Sequence, residues 1–241
     1  MNLAVITDNL DYLLAGAWPD SPVGGLMLTL IFSAESGLAS AILGLVLGIA
    51  LAMSRGRTRR TLTLGLGPLR AVPIVMLIFW SYFLLPILFG VSIPETDTVV
   101  TAPSRVGGAY LSYAVAAGIE SIGRGQWEAG LALGFGRWQV LRYLILPRAL
   151  PAMTPSFVNQ WTALIKDTSL AYVIGVSELS FVATQVNNRV IVYPTEILLF
   201  VGAVYGCLCL LVDRLATQVS GRGRRPRQSR PRSELRPKAS A

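Results

Sequence analysis

The chain contains no histidine. Histidine is the side chain that titrates nearest neutral pH and the commonest metal ligand. Its absence excludes imidazole-based triads and every zinc site that needs that ring. Charge is scarce as well. Only 14% of the 241 residues are Asp, Glu, Lys or Arg, where a soluble domain carries about 25%. There are two cysteines, Cys207 and Cys209. Two residues apart on a helix, they point about 200° apart. They therefore neither pair readily nor share a metal, and they read as small apolar packing residues. No phosphate loop of the form Gly, four residues, Gly-Lys-Ser/Thr is present, so ATP chemistry is not expected from this chain. Met1 to Asp20 holds Asp8, Asp11 and Asp20 and no basic residue. Without the positive start of a secretory signal, the first apolar stretch is expected to stay in the mature protein.

What is there instead is apolar. Hydrophobic residues make up 53% of the chain and the mean hydropathy is +0.56. Such a chain is solvated mainly by lipid. A spanning helix needs about 20 mostly apolar residues, and five segments approach that: 24–53, 69–89, 99–119, 154–176 and 196–216. The second contains Pro73 and Pro86, the third Pro103 and Arg105, and the fourth Lys166 and Asp167. No internal repeat is apparent.

The loop charges orient these spans. Arg55, Arg57, Arg59 and Arg60 follow the first segment. Arg124, Arg137, Arg142 and Arg148 follow the third, and an arginine-rich stretch follows the fifth. The opposite ends are acidic or sparse, with Glu95 and Asp97 after the second segment and Glu178 and Arg189 after the fourth. The positive-inside rule then gives an N-out, C-in protein of five spans, with all three basic stretches cytoplasmic. The expected organisation is an all-α integral membrane protein. An extracytoplasmic segment covers 1–23, a transmembrane domain 24–219 and a basic, disordered cytoplasmic tail 220–241. That tail is rich in Arg, Pro, Ser and Gly, which disfavours a packed core. It reads either as an anionic-lipid contact or as a solvated end. The net charge of +8 sits mostly there, and no aromatic pattern or motif supports nucleic acid as a partner.

The most informative connection is GIESIGRGQWEAGLALGFGRWQVLRYLILPRALPAM, residues 118–153. Its composition favours a short helix over Gln126 to Leu133, broken by Gly134 and Gly136. A second helical stretch follows, with Trp138, Leu141, Tyr143 and Leu144, ended or kinked at Pro147. Two short helices joined by a glycine turn make a knob on the membrane surface. Its apolar residues fit either a partner site or an interfacial helix lying on lipid.

The spacing within this loop resembles the EAA loop of ABC importer permease subunits: Glu-Ala-Ala, three residues, Gly, nine residues, Ile, one residue, Leu-Pro. Here the landmarks are Glu128, Ala129, Gly130, Gly134, Leu144, Leu146 and Pro147, with Gly130 in place of the third Ala and Leu144 in place of Ile. The resemblance implies a coupling helix docking in a cleft of a cytoplasmic ATPase subunit. Glu128, Ala129, Gly130 and Leu133 would lie on the docking helix, with Gly134 at the turn and Leu146 and Pro147 behind it.

Three further segments resemble the polar amino acid permeases of that class, the histidine, glutamate, glutamine, arginine and opine group. They are RAVPIVMLIFWSYFLLP from Arg70 to Pro86, GRGQWEA before the turn, and LIKDTSLAYVIGVSEL from Leu164 to Leu179. The glutamate/aspartate permeases look nearest, around Trp80 to Pro86. Departures occur in the third apolar segment, 99–119. The family has a Glu and an Arg where this chain has Tyr113 and Ala116, and it is apolar where this chain has Pro103 and Arg105.

Lys166 and Asp167 also have a direct physical reading. A charge at the centre of a span costs about 2.5–3.5 kcal/mol on insertion scales. Such residues face a cavity, pair, or mark a solute path. Adjacent helical residues point about 100° apart, so these two are not a natural pair. Thr168 and Ser169 bend or cap helices through backbone hydrogen bonds. Lys166, Asp167, Thr168 and Ser169 read as a translocation path or gate, or alternatively as the end of a short span with Lys166 among the outer headgroups. Glu35, inside the first segment, reads as an interhelical hydrogen-bond partner.

The resemblance thus implies a non-enzymatic permease subunit in a bacterial cytoplasmic membrane, importing an amino acid such as glutamate or aspartate. It implies a second permease subunit, identical or paralogous, a pair of ATPase subunits that bind the ATP and Mg, and a periplasmic or tethered amino-acid-binding protein. No cofactor is expected in this chain. The alternative is a secondary transporter of small polar solutes, which usually shows internal repeats and more spans.

Overall fold

The computed structural model describes residues 4–91, 93–190 and 194–221. The expected tail lies outside them, apart from Ser220 and Gly221, which end the last helix. The architecture is helical throughout. Two short helices, α1 (Ala4–Asp8) and α2 (Leu10–Ala15), precede the 29-residue α3 (Gly25–Met53). Next comes α4 (Gly56–Ala71), then α5 (Ile74–Phe79) running through a π segment, Trp80–Leu84, into α6 (Leu85–Phe89). Helix α7 (Glu95–Glu120) is unbroken with Pro103 buried inside it. After the surface helices α8 (Arg124–Ala132) and α9 (Arg137–Val140), a second π segment, Leu141–Ile145, leads into α10 (Leu146–Asp167). A 3-10 stretch, Thr168–Ile174, then α11 (Leu179–Val190) and α12 (Pro194–Gly221) complete the described chain.

Each of the five apolar segments coincides with helix, with two corrections. The second does not start as one rod at Leu69. Helix α4 stops at Val72, which is extended (φ −81°, ψ 131°), because a residue before proline is sterically barred from helix and Pro73 follows. The chain turns through 99° between α4 and the α5–α6 rod. Pro147, in turn, does not end its helix. A proline lacks the N–H of the helical ladder and its ring crowds the carbonyl four residues back. Widening the preceding turn to π spacing accommodates both: Leu146 N–H donates to the Leu141 carbonyl, and Pro147 follows. The same device precedes Pro86, where Leu85 N–H donates to the Trp80 carbonyl.

By length and composition, α3 and α12 are apolar enough to cross a membrane, and the bent α4–α6 pair makes a third candidate. The central crossing joins α3 to α7. In lipid, helices gain little from burying apolar surface against each other, so close association depends on small residues that let backbones approach. Buried Ser36, Ser40, Gly44 and Gly48 form a stripe at four-residue spacing on α3. Buried Ser104, Gly107, Gly108 and Ser112 face it from α7. A Cβ at Gly48 would lie 2.4 Å from Val115 Cβ, and one at Gly44 2.3 Å from Leu111 Cβ. Ser36 Oγ donates to the Val100 carbonyl across the crossing at a long 3.4 Å.

Gly48→Leu should therefore force the helices apart and cost at least about 1–3 kcal/mol. Gly65→Leu on α4, where nothing lies within 4 Å, should be neutral or stabilising by up to about 1 kcal/mol. Thermal unfolding of the two variants in the same detergent measures the contrast.

Candidate coupling site

The loop after α7 folds as a tight helical knob. Helix α8 ends in a Schellman closure: Phe135 N–H donates to the Gly130 carbonyl at 3.2 Å and Gly134 N–H to the Leu131 carbonyl at 3.0 Å. The closure requires a left-handed residue, and Gly134 supplies it with φ +84°. Gly136 N–H then donates to Gln139 Oε1 at 2.7 Å, closing the start of α9. Arg148 reaches back to Gln126. The π segment is the knob's root. Val140, Leu141 and Ile145 are buried with Val115 and Ile119 of α7 and with Ala149 and Met153 of α10.

The predicted residues fall on this knob as follows. Glu128 and Ala129 are exposed on α8, and no ion pair holds Glu128 among the described residues. Leu133 is 75% exposed beside Trp138 at 65%, and Leu131 and Phe135 are exposed nearby. Gly130 is buried against the root. A Cβ there would stand 2.8 Å from Val140 Cγ2 and 3.1 Å from Leu144 Cδ1. The glycine that departs from the family pattern is thus the residue that lets α8 lie close on the π segment. Leu146 and Pro147 begin α10 behind it.

Lys166, Asp167, Thr168 and Ser169 lie at the other end of α10, about 30 Å away at 1.5 Å per residue. Lys166 is exposed, Asp167 half-buried and Thr168 buried. Among the described residues the one ion pair is Arg59–Glu120, at 2.7 Å, so Lys166 and Asp167 are not joined. Thr168 Oγ1 donates to the Ile165 carbonyl at 2.7 Å and Ser169 Oγ to the Lys166 carbonyl at 2.6 Å. Both bonds lie where the α-helix tightens into 3-10 geometry. Glu35 is exposed on α3.

Two features escaped sequence reasoning. Arg70 lies over the rings of Tyr110 and Tyr113, 4.8 and 4.4 Å from their centroids. Tyr113 is the position where the resemblance leads one to expect an acid, and here a cation–π contact engages the Arg70 guanidinium. Second, Glu178 is fully buried at the start of α11. Its carboxylate accepts from Ser180 N–H and Phe181 N–H, both at 2.9 Å, and from the Tyr205 hydroxyl of α12 at 2.8 Å. Next to it Leu179 N–H donates to Thr29 Oγ1 and Gly25 N–H to the Ser177 carbonyl. One acid thus caps α11 and, with its neighbours, ties together α3, α11 and α12. Burial pushes its pKa from the ordinary 4.5 to about 7, against the opposing pull of those hydrogen bonds.

No cluster of three or more His, Cys, Asp or Glu suited to a metal occurs among the described residues. Long apolar helices and a surface knob are the features that the described residues present. Comparisons with known proteins supply the family. The family model described as "Binding-protein-dependent transport system inner membrane component" matches residues 44–225. The chain is 39% identical to the glutamine transport system permease protein GlnP of Escherichia coli K12, over 68% of this chain and 76% of that one. It is 32% identical to the arginine transport system permease protein ArtQ of Bacillus subtilis, over 88% and 96%. A solved amino acid ABC transporter with histidines superposes with a TM-score of 0.79 at 22% identity, covering 92% of this chain and 99% of that one. The MetNI methionine ABC transporter, facing inward, gives 0.71 at 20%, covering 83% and 94%. The chain belongs to the binding-protein-dependent transport system inner membrane component family. It is a multi-pass, non-catalytic permease component of a bacterial inner membrane and works with a separate ATPase subunit.

Gly130→Ala should destabilise the knob by about 1 kcal/mol net, overpacking outweighing the gain in helix propensity. Gly125→Ala, with nothing within 4 Å, should be neutral or stabilising by up to about 1 kcal/mol. Hydrogen exchange over residues 124–140 distinguishes them. Glu178 binds its proton more tightly folded than unfolded. Its contribution to stability is therefore full below about pH 4.5 and is lost as pH rises to about 7. Melting temperature should fall across that window in the wild type, and Glu178→Gln should remove that part of the slope.

Proposed function

We propose that the chain is the permease of an ATP-driven polar amino acid importer, coupled to its ATPase through the knob at Glu128 to Pro147. The observation that carries this reading is the knob itself. Glu128, in no ion pair among the described residues, shares with exposed Leu131, Leu133, Phe135 and Trp138 a knob closed at Gly134 and rooted on α7 and α10. A surface of that kind suits insertion into a protein cleft, where a few central anchors dominate binding.

In this reading five spans run N-out to C-in, with residues 1–23 extracytoplasmic, 24–219 forming the membrane domain and 220–241 a cytoplasmic tail. Two permease subunits enclose the path, a pair of ATPase subunits lies below and a solute-binding protein above. ATP binding draws the ATPases together. Glu128, Ala129, Gly130, Leu133 and Gly134 take up that motion, and Leu146 and Pro147 pass it into α10. Lys166, Asp167, Thr168 and Ser169, at the far end of the same helix, gate the path. The relatives are named for glutamine, for arginine and for glutamate/aspartate import. A polar amino acid therefore fits best, with glutamine and glutamate tested first.

Liposomes containing the permease, its ATPase and a panel of loaded binding proteins test this. ATP hydrolysis should rise with one loaded binding protein, and Glu128→Lys should weaken ATPase association at least about tenfold and abolish the stimulation. Solute flux driven by an ion gradient without any ATPase association would refute it.

A further inference from the structure

A cavity of about 770 Å³ lies between the end of α3, the start of α4 and the inner side of the knob. This is the size range of small-molecule sites. Four arginines line it: Arg55, Arg59, Arg124 and Arg137. Its acids are Glu120 and Glu128, and Glu120 is already engaged by Arg59 at 2.7 Å. Two positive charges are left in excess.

Helix stability does not explain these arginines. Arg55 precedes the first residue of α4 and Arg124 is the first residue of α8, and neither helix has an acid in its first turn. A cation at a helix start is opposed by the helix dipole. Nor is the rest of the lining polar. Met53, Ile119 and Ile122 supply an apolar wall, and Met53 is the last residue of the 29-residue apolar α3. The cavity thus sits at the level where that apolar helix gives way to arginines. Half-buried Trp127 lines it too, and such amphipathic rings favour a bilayer surface.

We propose that this cavity binds the phosphate of an anionic phospholipid headgroup in the cytoplasmic leaflet. Arg55, Arg124 and Arg137 take the phosphate oxygens through their planar forks, and the apolar wall meets the upper acyl chain. Basic pockets between helices on the cytoplasmic side suit such headgroups. The assignment rests on the C-in orientation proposed above. Glu128 and Leu131 of α8 stand at the rim of the lining, so the bound lipid would brace the coupling helix there, while exposed Leu133, Phe135 and Trp138, which do not line the cavity, stay free for the ATPase.

The test uses the assembled permease–ATPase complex in nanodiscs containing phosphatidylglycerol, cardiolipin or phosphatidylcholine only. After detergent exchange, native mass spectrometry counts retained lipid. Wild type should keep an anionic lipid and release phosphatidylcholine. A double R55Q and R124Q variant should bind the anionic lipid about thirtyfold more weakly, two guanidinium contributions at the strength usual for a basic residue at an anionic surface. Its basic tail is unchanged, so diffuse attraction is common to both. Equal retention by the variant would overturn the proposal. Displacement of the lipid by millimolar inorganic phosphate would assign the site to a free phosphate and overturn the lipid source. Loss of ATPase from the variant with lipid retention unchanged would give the cavity to the ATPase instead. Failure of the wild-type complex to form would count against the coupling reading, and lipid retention by the permease alone would still decide the pocket.

Discussion

The close crossing of α3 and α7 is the constraint on which the rest of the structure depends. Between lipid-solvated helices the hydrophobic effect offers no preference for one contact over another, and packing distance decides. Ser36, Ser40, Gly44 and Gly48 bring α3 within reach of Ser104, Gly107 and Gly108 of α7. Helix α7 then carries the other elements. Its middle meets Leu66 of α4 through Ala109 and Ala116, and its lower end roots the knob through Val115 and Ile119. Its upper end packs Val99 and Ala102 against Phe32, Ile78 and the 3-10 stretch. Separating α3 from α7 would loosen all of these at once.

The far side is closed by polar bonds rather than by small residues. Glu178 holds the start of α11 and the Tyr205 hydroxyl, while Thr29 and Gly25 bring in α3. The N-terminal helices add to this cap. Val5 and Leu13 are buried with Val182, Val186 and Ile197, Tyr12 bonds Gln185, and Arg189 stacks over Tyr12 at 4.9 Å. Helix α12, with Leu198, Leu199, Leu210 and Leu211 exposed, is held at this end by those polar bonds and farther along by packing on α10, where Cys209 Sγ approaches the Thr162 carbonyl at 3.8 Å. A buried acid with every bond satisfied fixes geometry because breaking any one bond leaves an uncompensated charge.

What the sequence made legible was whatever depends on local pattern. Apolar length gave the helices, Gly134 the turn, and the Glu128-to-Pro147 spacing placed the knob's landmarks. What stayed hidden depends on distant partners or on backbone adjustments smaller than a residue pattern. Pro147 reads as an end or a kink, yet, like Pro86, it follows a leucine whose N–H reaches five residues back and the helix continues. One wider turn preserves the rod. Pro73 has no such adjustment, and there the pre-proline restriction wins and the chain bends. Glu178 looked like one acid in an outer loop. Its importance comes from Tyr205 and Thr29, 27 and 149 residues away, and no local period encodes that.

The substitutions at Gly130 and Tyr113 follow one physical logic. At Gly130 the loss of a methyl is matched by the approach of Val140 to the space a Cβ would occupy. At Tyr113 the loss of an acid is matched by a ring offered to Arg70, with Tyr110 as a second ring and its hydroxyl donating to the Arg70 carbonyl at 3.2 Å. Arg70 is exposed, and the ring quadrupoles hold its guanidinium without adding a negative charge. Arg59 meets Glu120 at one end of α4 and Arg70 meets Tyr110 and Tyr113 at the other. Those positions on α7 are seven to ten residues apart, about 10–15 Å of rise, so α4 climbs alongside α7 before it turns at Pro73. An Arg70 held by rings instead of a carboxylate has no negative partner at that level among the described residues. The electrostatics of this region therefore differ from those of a permease with an acid at the same place, although the helix path need not.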